Sequence, residues 1–160
     1  MTARDRDAGG RARNARPRDA LGRPLPRSAA ADGLRIPDDL VLTPAEAADL
    51  GGRLLAEGRP FHAHEVFEAA WKSVPESGRE LWRGLAQIAV GITHARRGNA
   101  RGAVTLLRRG AGHVAADPGP PGVVDAGYIA GQATRLADRI ERDGLAAVAG
   151  ADFLLRLRPG

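Results

Sequence analysis

The stretch FHAHEVFEAAW, residues 61–71, sets two histidines and two glutamates among phenylalanine, alanine, valine and tryptophan. On a helix turning about 100° per residue, His64 falls within about 60° of Phe67, on an apolar stripe shared with Ala63, Ala70 and Trp71. Glu68 lies about 100° from Phe67 on the same side, one turn after His64. A histidine and a carboxylate at this spacing can ligate a metal, hold an imidazole as a general base, or satisfy each other's hydrogen bonds. Glu65 points nearly opposite the stripe. His62 also points away from it and is expected in solvent.

A second set of candidates follows the PESG turn at residues 75–78. Leu81, Leu85, Ile88, Ile92 and Ala95 form one face of a helix, and Ala86, Ala89 and Val90 extend the apolar surface nearly all round it. Such a helix is central and buried. Its polar exceptions, Glu80, Arg83, Gln87 and His94, fall on one side. Folding the two helices as an antiparallel hairpin predicts His64 opposite His94, Trp71 opposite Gln87, Phe67 opposite Gly91 and Val74 opposite Gly84. The expected result is one pocket. His64, Glu68 and His94 form its open end, Trp71 and Gln87 lie deeper, and Arg83 with Glu80 stands at the other rim.

Three chemistries suit these residues. In the structural one, His64, His94 and Gln87 satisfy one another and fix the hairpin register, while the Trp71 indole donates to Gln87 or a carbonyl. In the metal reading, His64, Glu68 and His94 supply a His₂-carboxylate set for zinc or iron, and a bound water becomes the nucleophile of a hydrolase. HEVFE is not the HExxH motif, however, and no duplicated Glu-x-x-His marks a di-iron bundle. The third is metal-free. A histidine acts as general base, or only as a hydrogen-bonding group, and Arg83 or Gln87 orients an anionic or amide-bearing ligand. With no cysteine in the chain, a thiolate nucleophile is excluded. The leading reading is a binding or structural module with a His/Glu/Gln pocket between the second and third helices. The metal-dependent hydrolase is its alternative, and whether the chain is an enzyme stays open.

These side chains are positioned by helices with legible ends. Thr43, Pro44 and Glu46 read as N-cap, first helical residue and capping-box partner, and Gly58 ends that helix. The second runs from about Pro60 to Val74, stopped by Pro75. SGRE at 77–80 suggests another capping box for a helix ending at Arg97 and Gly98. Asn99 caps a fourth helix, PGPPG at 118–122 breaks the chain, and Asp125 caps a fifth in which Ile129, Ala133, Leu136 and Ile140 recur at helical spacing. LRIPDDLVL at 34–42 leads in as an extended segment, and DFLLRLRPG is expected to pack on the bundle as a short tail. No strand pairs, internal repeat or phosphate-binding glycine loop appears. The fold expected is an all-α antiparallel bundle of about five helices over residues 34–160.

Residues 1–33 are polar and rich in arginine, proline and glycine, without apolar periodicity, and are expected to be disordered. Eight arginines against four aspartates there account for most of the formal net charge of +5. An arginine-rich tail can contact phosphates, so nucleic acid or an acidic partner is a further alternative. No aromatic residue interleaves with it as a stacking platform, which disfavours nucleic acid. No apolar stretch reaches the length of a membrane span or a secretory leader, so a soluble cytoplasmic chain without membrane contact is expected. Homo-oligomerisation is left open.

The segment from Phe61 to Gly110 resembles the domain-of-unknown-function 309 family of small helical bacterial and archaeal proteins. The resemblance rests on His64-Glu65, Glu68 and Trp71, then Gly84-Leu85, Gln87 and His94, then Gly98, Asn99, Gly102 and Ala103. It extends more weakly into the fifth helix, and Ala86 stands where the family commonly has isoleucine. It implies an all-helical fold and no established activity, substrate or cofactor.

Overall fold

The computed structural model describes residues 19–21, 23, 36–37, 39–76 and 78–160. The expectation of a disordered tail over 1–33 therefore falls almost entirely outside the described residues. Where the segment is described, the Asp19 carboxylate accepts from the amides of Leu21 and Arg23. Arg97 donates to the Leu21 carbonyl.

Five α-helices follow: α1 (Pro44–Ala56), α2 (Pro60–Ser73), α3 (Arg79–Arg96), α4 (Ala100–Ala116) and α5 (Ala126–Asp143). Two short 3₁₀ turns, Leu145–Ala147 and Gly150–Phe153, carry the chain back toward the bundle. No strand occurs among the described residues. Each helix packs on its neighbours in chain order, as short connections favour.

Local chemistry sets most of the helix ends. At α1 the Thr43 hydroxyl accepts from the Glu46 amide, and the Glu46 carboxylate accepts from the Thr43 amide, closing the capping box. Asp125 accepts from the Tyr128 amide at the start of α5. Asn99 accepts from the Gly102 amide at the start of α4. Between α3 and α4 the chain reverses through Gly98 at φ +87°, a conformation glycine adopts without a Cβ penalty. The capping box expected from Ser77 falls outside the described residues. The N-cap of α3 is Gly78 in the left-handed region, with no side chain to accept from the helix amides.

The centre of the bundle is α3. Leu81, Trp82, Leu85, Ile88 and Ile92 are buried, each contributing about 1.5–3 kcal/mol of transfer free energy. It lies between α2 and α4 and meets α4 the more closely of the two. The close approach is made by glycine: a β-carbon on Gly84 would stand 2.7 Å from the Gly110 carbonyl oxygen and 2.9 Å from the Val114 nitrogen. The C-terminal segment packs on this core as expected. Leu155 and Leu157 are buried, the Asp125 amide donates to the Leu157 carbonyl, and the Gln132 side chain holds the Arg156 backbone through both its amide groups. No helix among the described residues is long and apolar enough to cross a membrane.

Candidate functional site

Because α2 packs on α1 as well as on α3, it has two inward faces rather than one stripe. Ala63, Phe67 and Ala70 are buried, and the Phe67 ring covers Gly51 of α1 so closely that no side chain fits there. His62 and Val66, one turn apart, are buried as well, and both are fully inaccessible. The solvated position expected for His62 is thus wrong: the side chain is fully inaccessible, with its ring edge-on to Phe61 at 6.1 Å between centroids. Glu65 is half-buried.

The register of α2 against α3 also differs from the expected one. The Phe67 ring lies 6.2 Å from Trp82, and the Arg79 guanidinium sits 5.7 Å from the centre of the Trp71 ring. At the other end, Arg96 Nη1 donates to the Gly58 carbonyl at 2.6 Å. Relative to the pairing of His64 with His94, α3 is displaced by about two helical turns. The glycines expected opposite Phe67 and Val74 instead serve α4: Gly91 meets Leu107 and Ala103, and Gly84 meets Gly110 and Val114.

This displacement removes His94 from the site. The Asn99 side-chain amide donates to His94 Nδ1 at 3.1 Å, and the Asn99 backbone amide donates to the His94 carbonyl at 2.8 Å. Asn99 also caps α4, so His94 belongs to the α3–α4 turn. The zinc or iron set of His64, Glu68 and His94 therefore loses its third member. No three histidine, aspartate or glutamate side chains come together as metal ligands among the described residues.

What remains is a groove of about 470 Å³ with α3 as its floor. His64 and Trp71 of α2 form one wall, and Arg83, Ala86, Gln87 and Val90 project from α3. Leu106 of α4 closes the opposite side. Glu68 stands beside the groove and acts on it through His64: Nε2 of His64 lies 3.2 Å from the Glu68 carboxylate, and Lys72 lies 3.4 Å from the other oxygen. The His64 hydrogen bond, with the charges of His64 and Lys72, brings the Glu68 carboxyl down to about 2 against the opposing effect of partial burial. Glu68 is thus an anion at neutral pH and accepts the Nε2 proton. With Nε2 given to Glu68, Nδ1 is an acceptor when the ring carries one proton and a donor when it carries two.

Two of the lining residues each have a side-chain atom that is buried without a hydrogen-bond partner in the protein, His64 Nδ1 and Gln87 Oε1. The mutual satisfaction of His64, Gln87 and His94 expected in the structural reading does not form. Arg83 at the rim is 52% exposed and reaches Glu80 only at 3.7 Å. The other Glu80 oxygen pairs with His113 of α4 at 2.7 Å, a contact sequence reasoning missed because it joins two helices through a single pair of side chains. The apolar walls, Ala86, Val90 and Leu106, were not among the residues expected to line the pocket. Their signal was apolar residues on helix faces that no neighbouring helix covers completely.

A family model described as a domain of unknown function, DUF309, matches residues 49–106. The chain resembles that family from the later part of α1 through α2 and α3 into α4, starting earlier than the Phe61 boundary read from sequence and not reaching α5. No curated protein and no solved structure matches the chain.

Proposed function

We propose that this chain, similar through its central helices to a family without an assigned activity, is a helical module that binds a small organic ligand in the groove between α2 and α3. The observation that carries the reading is a groove lined by Trp71, Ala86, Val90 and Leu106, with His64, Arg83 and Gln87 as its polar residues. Apolar walls with a few polar groups that fix orientation are the ordinary composition of a ligand site.

A second reading, an enzyme with His64 as general base, is favoured by the Glu68 contact, which orients the imidazole through Nε2. Both readings need a ligand here. A fragment screen followed by two-dimensional NMR tests them together. Hits are expected to move the Trp71 indole and Gln87 amide signals while leaving buried Trp82 nearly still. A screen at millimolar concentration in which no fragment moves Trp71 or Gln87 refutes the proposal.

A further inference from the structure

A second cleft, of about 560 Å³, lies between α5 and the returning C-terminal segment. Past Gly144 the chain runs back to α5, where Leu155 is buried and the Gln132 side chain holds the Arg156 backbone. Arg135, Arg139 and Arg142 of α5 line the cleft. Spaced i, i+4 and i+7, they fall within an arc of about 60° and span about 10 Å of the helix. Their partners differ. Arg139 fixes the return: its Nη1 donates to the Asp152 carboxylate and its Nη2 to the Ala147 carbonyl, both at 3.0 Å. The same Asp152 oxygen accepts from the Ala149 amide at 3.0 Å. Arg142 pairs with its neighbour Asp143 at 3.0 Å. The other carboxylates on this part of α5 are engaged by Arg108 of α4, which holds Asp138 at 3.1 Å and Glu141 at 2.8 Å. Arg135 is left without an ion pair among the described residues. Its guanidinium lies over Gly131, one turn back, with Nη1 3.2 Å from where a β-carbon would stand. Leu154, 40% exposed, lines the same cleft together with Leu136 and Ala151.

We propose that this cleft is a second ligand site, apart from the α2–α3 groove, and that it takes a phosphate monoester on a small apolar body. An arginine without a counter-ion keeps its N–H groups for an incoming anion, and its planar fork matches phosphate oxygens in pairs. The lining carries three arginines against two carboxylates, Asp138 and Asp152, and an arginine already holds each carboxylate. An anion reaching Arg135 therefore meets a positive field. Phosphate suits that field better than carboxylate because it brings up to about two negative charges. The cleft has the size of sites that hold small organic molecules rather than a bare ion. Leu154 and Leu136 supply surface on which an apolar body is removed from water. Arg139 is a positioning residue here, since its bonds to Asp152 and Ala147 hold the segment that carries Leu154.

The test uses the full chain at fixed ionic strength with four probes: phenyl phosphate, inorganic phosphate, benzoate and phenol. Binding is read by calorimetry and by NMR at the Arg135 Nε–H and Leu154 methyl signals. Phenyl phosphate is expected to bind roughly tenfold more tightly than inorganic phosphate or benzoate, and phenol more weakly than all three. Arg135→Gln is expected to weaken phenyl phosphate roughly tenfold. The same variant should leave the midpoint temperature unchanged, because Arg135 forms no ion pair in the fold. Leu154→Ala is expected to weaken phenyl phosphate and leave inorganic phosphate as it was, a difference that a general folding defect would not produce. Arg109→Gln removes an exposed arginine of α4 outside the cleft and is expected to change nothing. If Arg109→Gln weakens binding as much as Arg135→Gln, the phosphate is reading overall charge and the site is overturned. Benzoate binding as tightly as phenyl phosphate overturns the phosphate assignment. Phenyl phosphate at millimolar concentration that moves neither the Arg135 nor the Leu154 signals overturns the site itself.

Discussion

Replacing Gln87 by methionine puts the two roles of the groove in direct opposition. Gln87 Oε1 is buried without a partner in the protein, while the residue as a whole is half-buried. Leaving an amide oxygen in that state costs about 1–3 kcal/mol, and the partial exposure of the residue argues for the lower end. Methionine has nearly the same length and volume, no strong acceptor, and enough flexibility to lie against Val90 and Leu106. Gln87→Met should therefore stabilise the protein by about 1 kcal/mol. For a domain of this size that corresponds to a rise in midpoint temperature of roughly 4 °C. Urea unfolding followed by far-ultraviolet circular dichroism gives the first number, and a thermal scan gives the second. The same variant should lose affinity for ligands found at the groove, because the site then lacks one of its orienting groups. Destabilisation by more than about 1 kcal/mol would refute the reasoning: Gln87 would then be holding the α2–α3 hairpin together, and the groove's polar groups would be structural.

Asn99→Ala removes both the cap of α4 and the hydrogen bond to His94, and should cost about 1–2 kcal/mol in urea unfolding while leaving probe binding at the groove intact. A loss of groove binding without a loss of stability would return His94 to the site. Glu68 carries a pH dependence of definite sign. Its carboxyl is lowered in the folded state from 4.5 to about 2, so its stabilising contribution is complete above about pH 5 and fades as the pH falls toward 2. Because the side chain is 44% exposed, solvent screening limits that contribution to about 1 kcal/mol or less. The stability difference between the unaltered protein and Glu68→Gln should shrink over that window, and a difference independent of pH would contradict the pairing with His64.

Much of the scaffold could be read locally, because helix ends are decided by neighbouring residues. Thr43 and Glu46, Asn99 and Asp125 each find the partner that their spacing implies, within a turn of the chain. At α3 the N-cap is Gly78, which has no side chain to accept from the helix amides. The His64–Glu68 contact was legible for the same reason, being one helical turn long. His62 was misplaced because a helical wheel records which residues share a face but not how many faces a neighbour covers. His94 was misplaced because hairpin register depends on packing along the whole interface.

The amino-acid sequence by itself determined the five helices, most of their caps, the i, i+4 His64–Glu68 pair and the central position of α3, all consequences of interactions within a few residues or of simple apolar periodicity. Only the tertiary structure decided which polar groups meet. Gly84 and Gly110 let α3 and α4 approach backbone to backbone, and Phe67 stacks beside Trp82 rather than over Gly91. That packing slides α3 by about two turns along α2, moves His94 to the Asn99 turn, and leaves His64, Arg83 and Gln87 as the polar residues of a groove lined otherwise by Trp71, Ala86, Val90 and Leu106. The physical reason is that a helix sets the angle of a side chain locally, whereas its height against a partner helix is set by the steric fit of many residues at once.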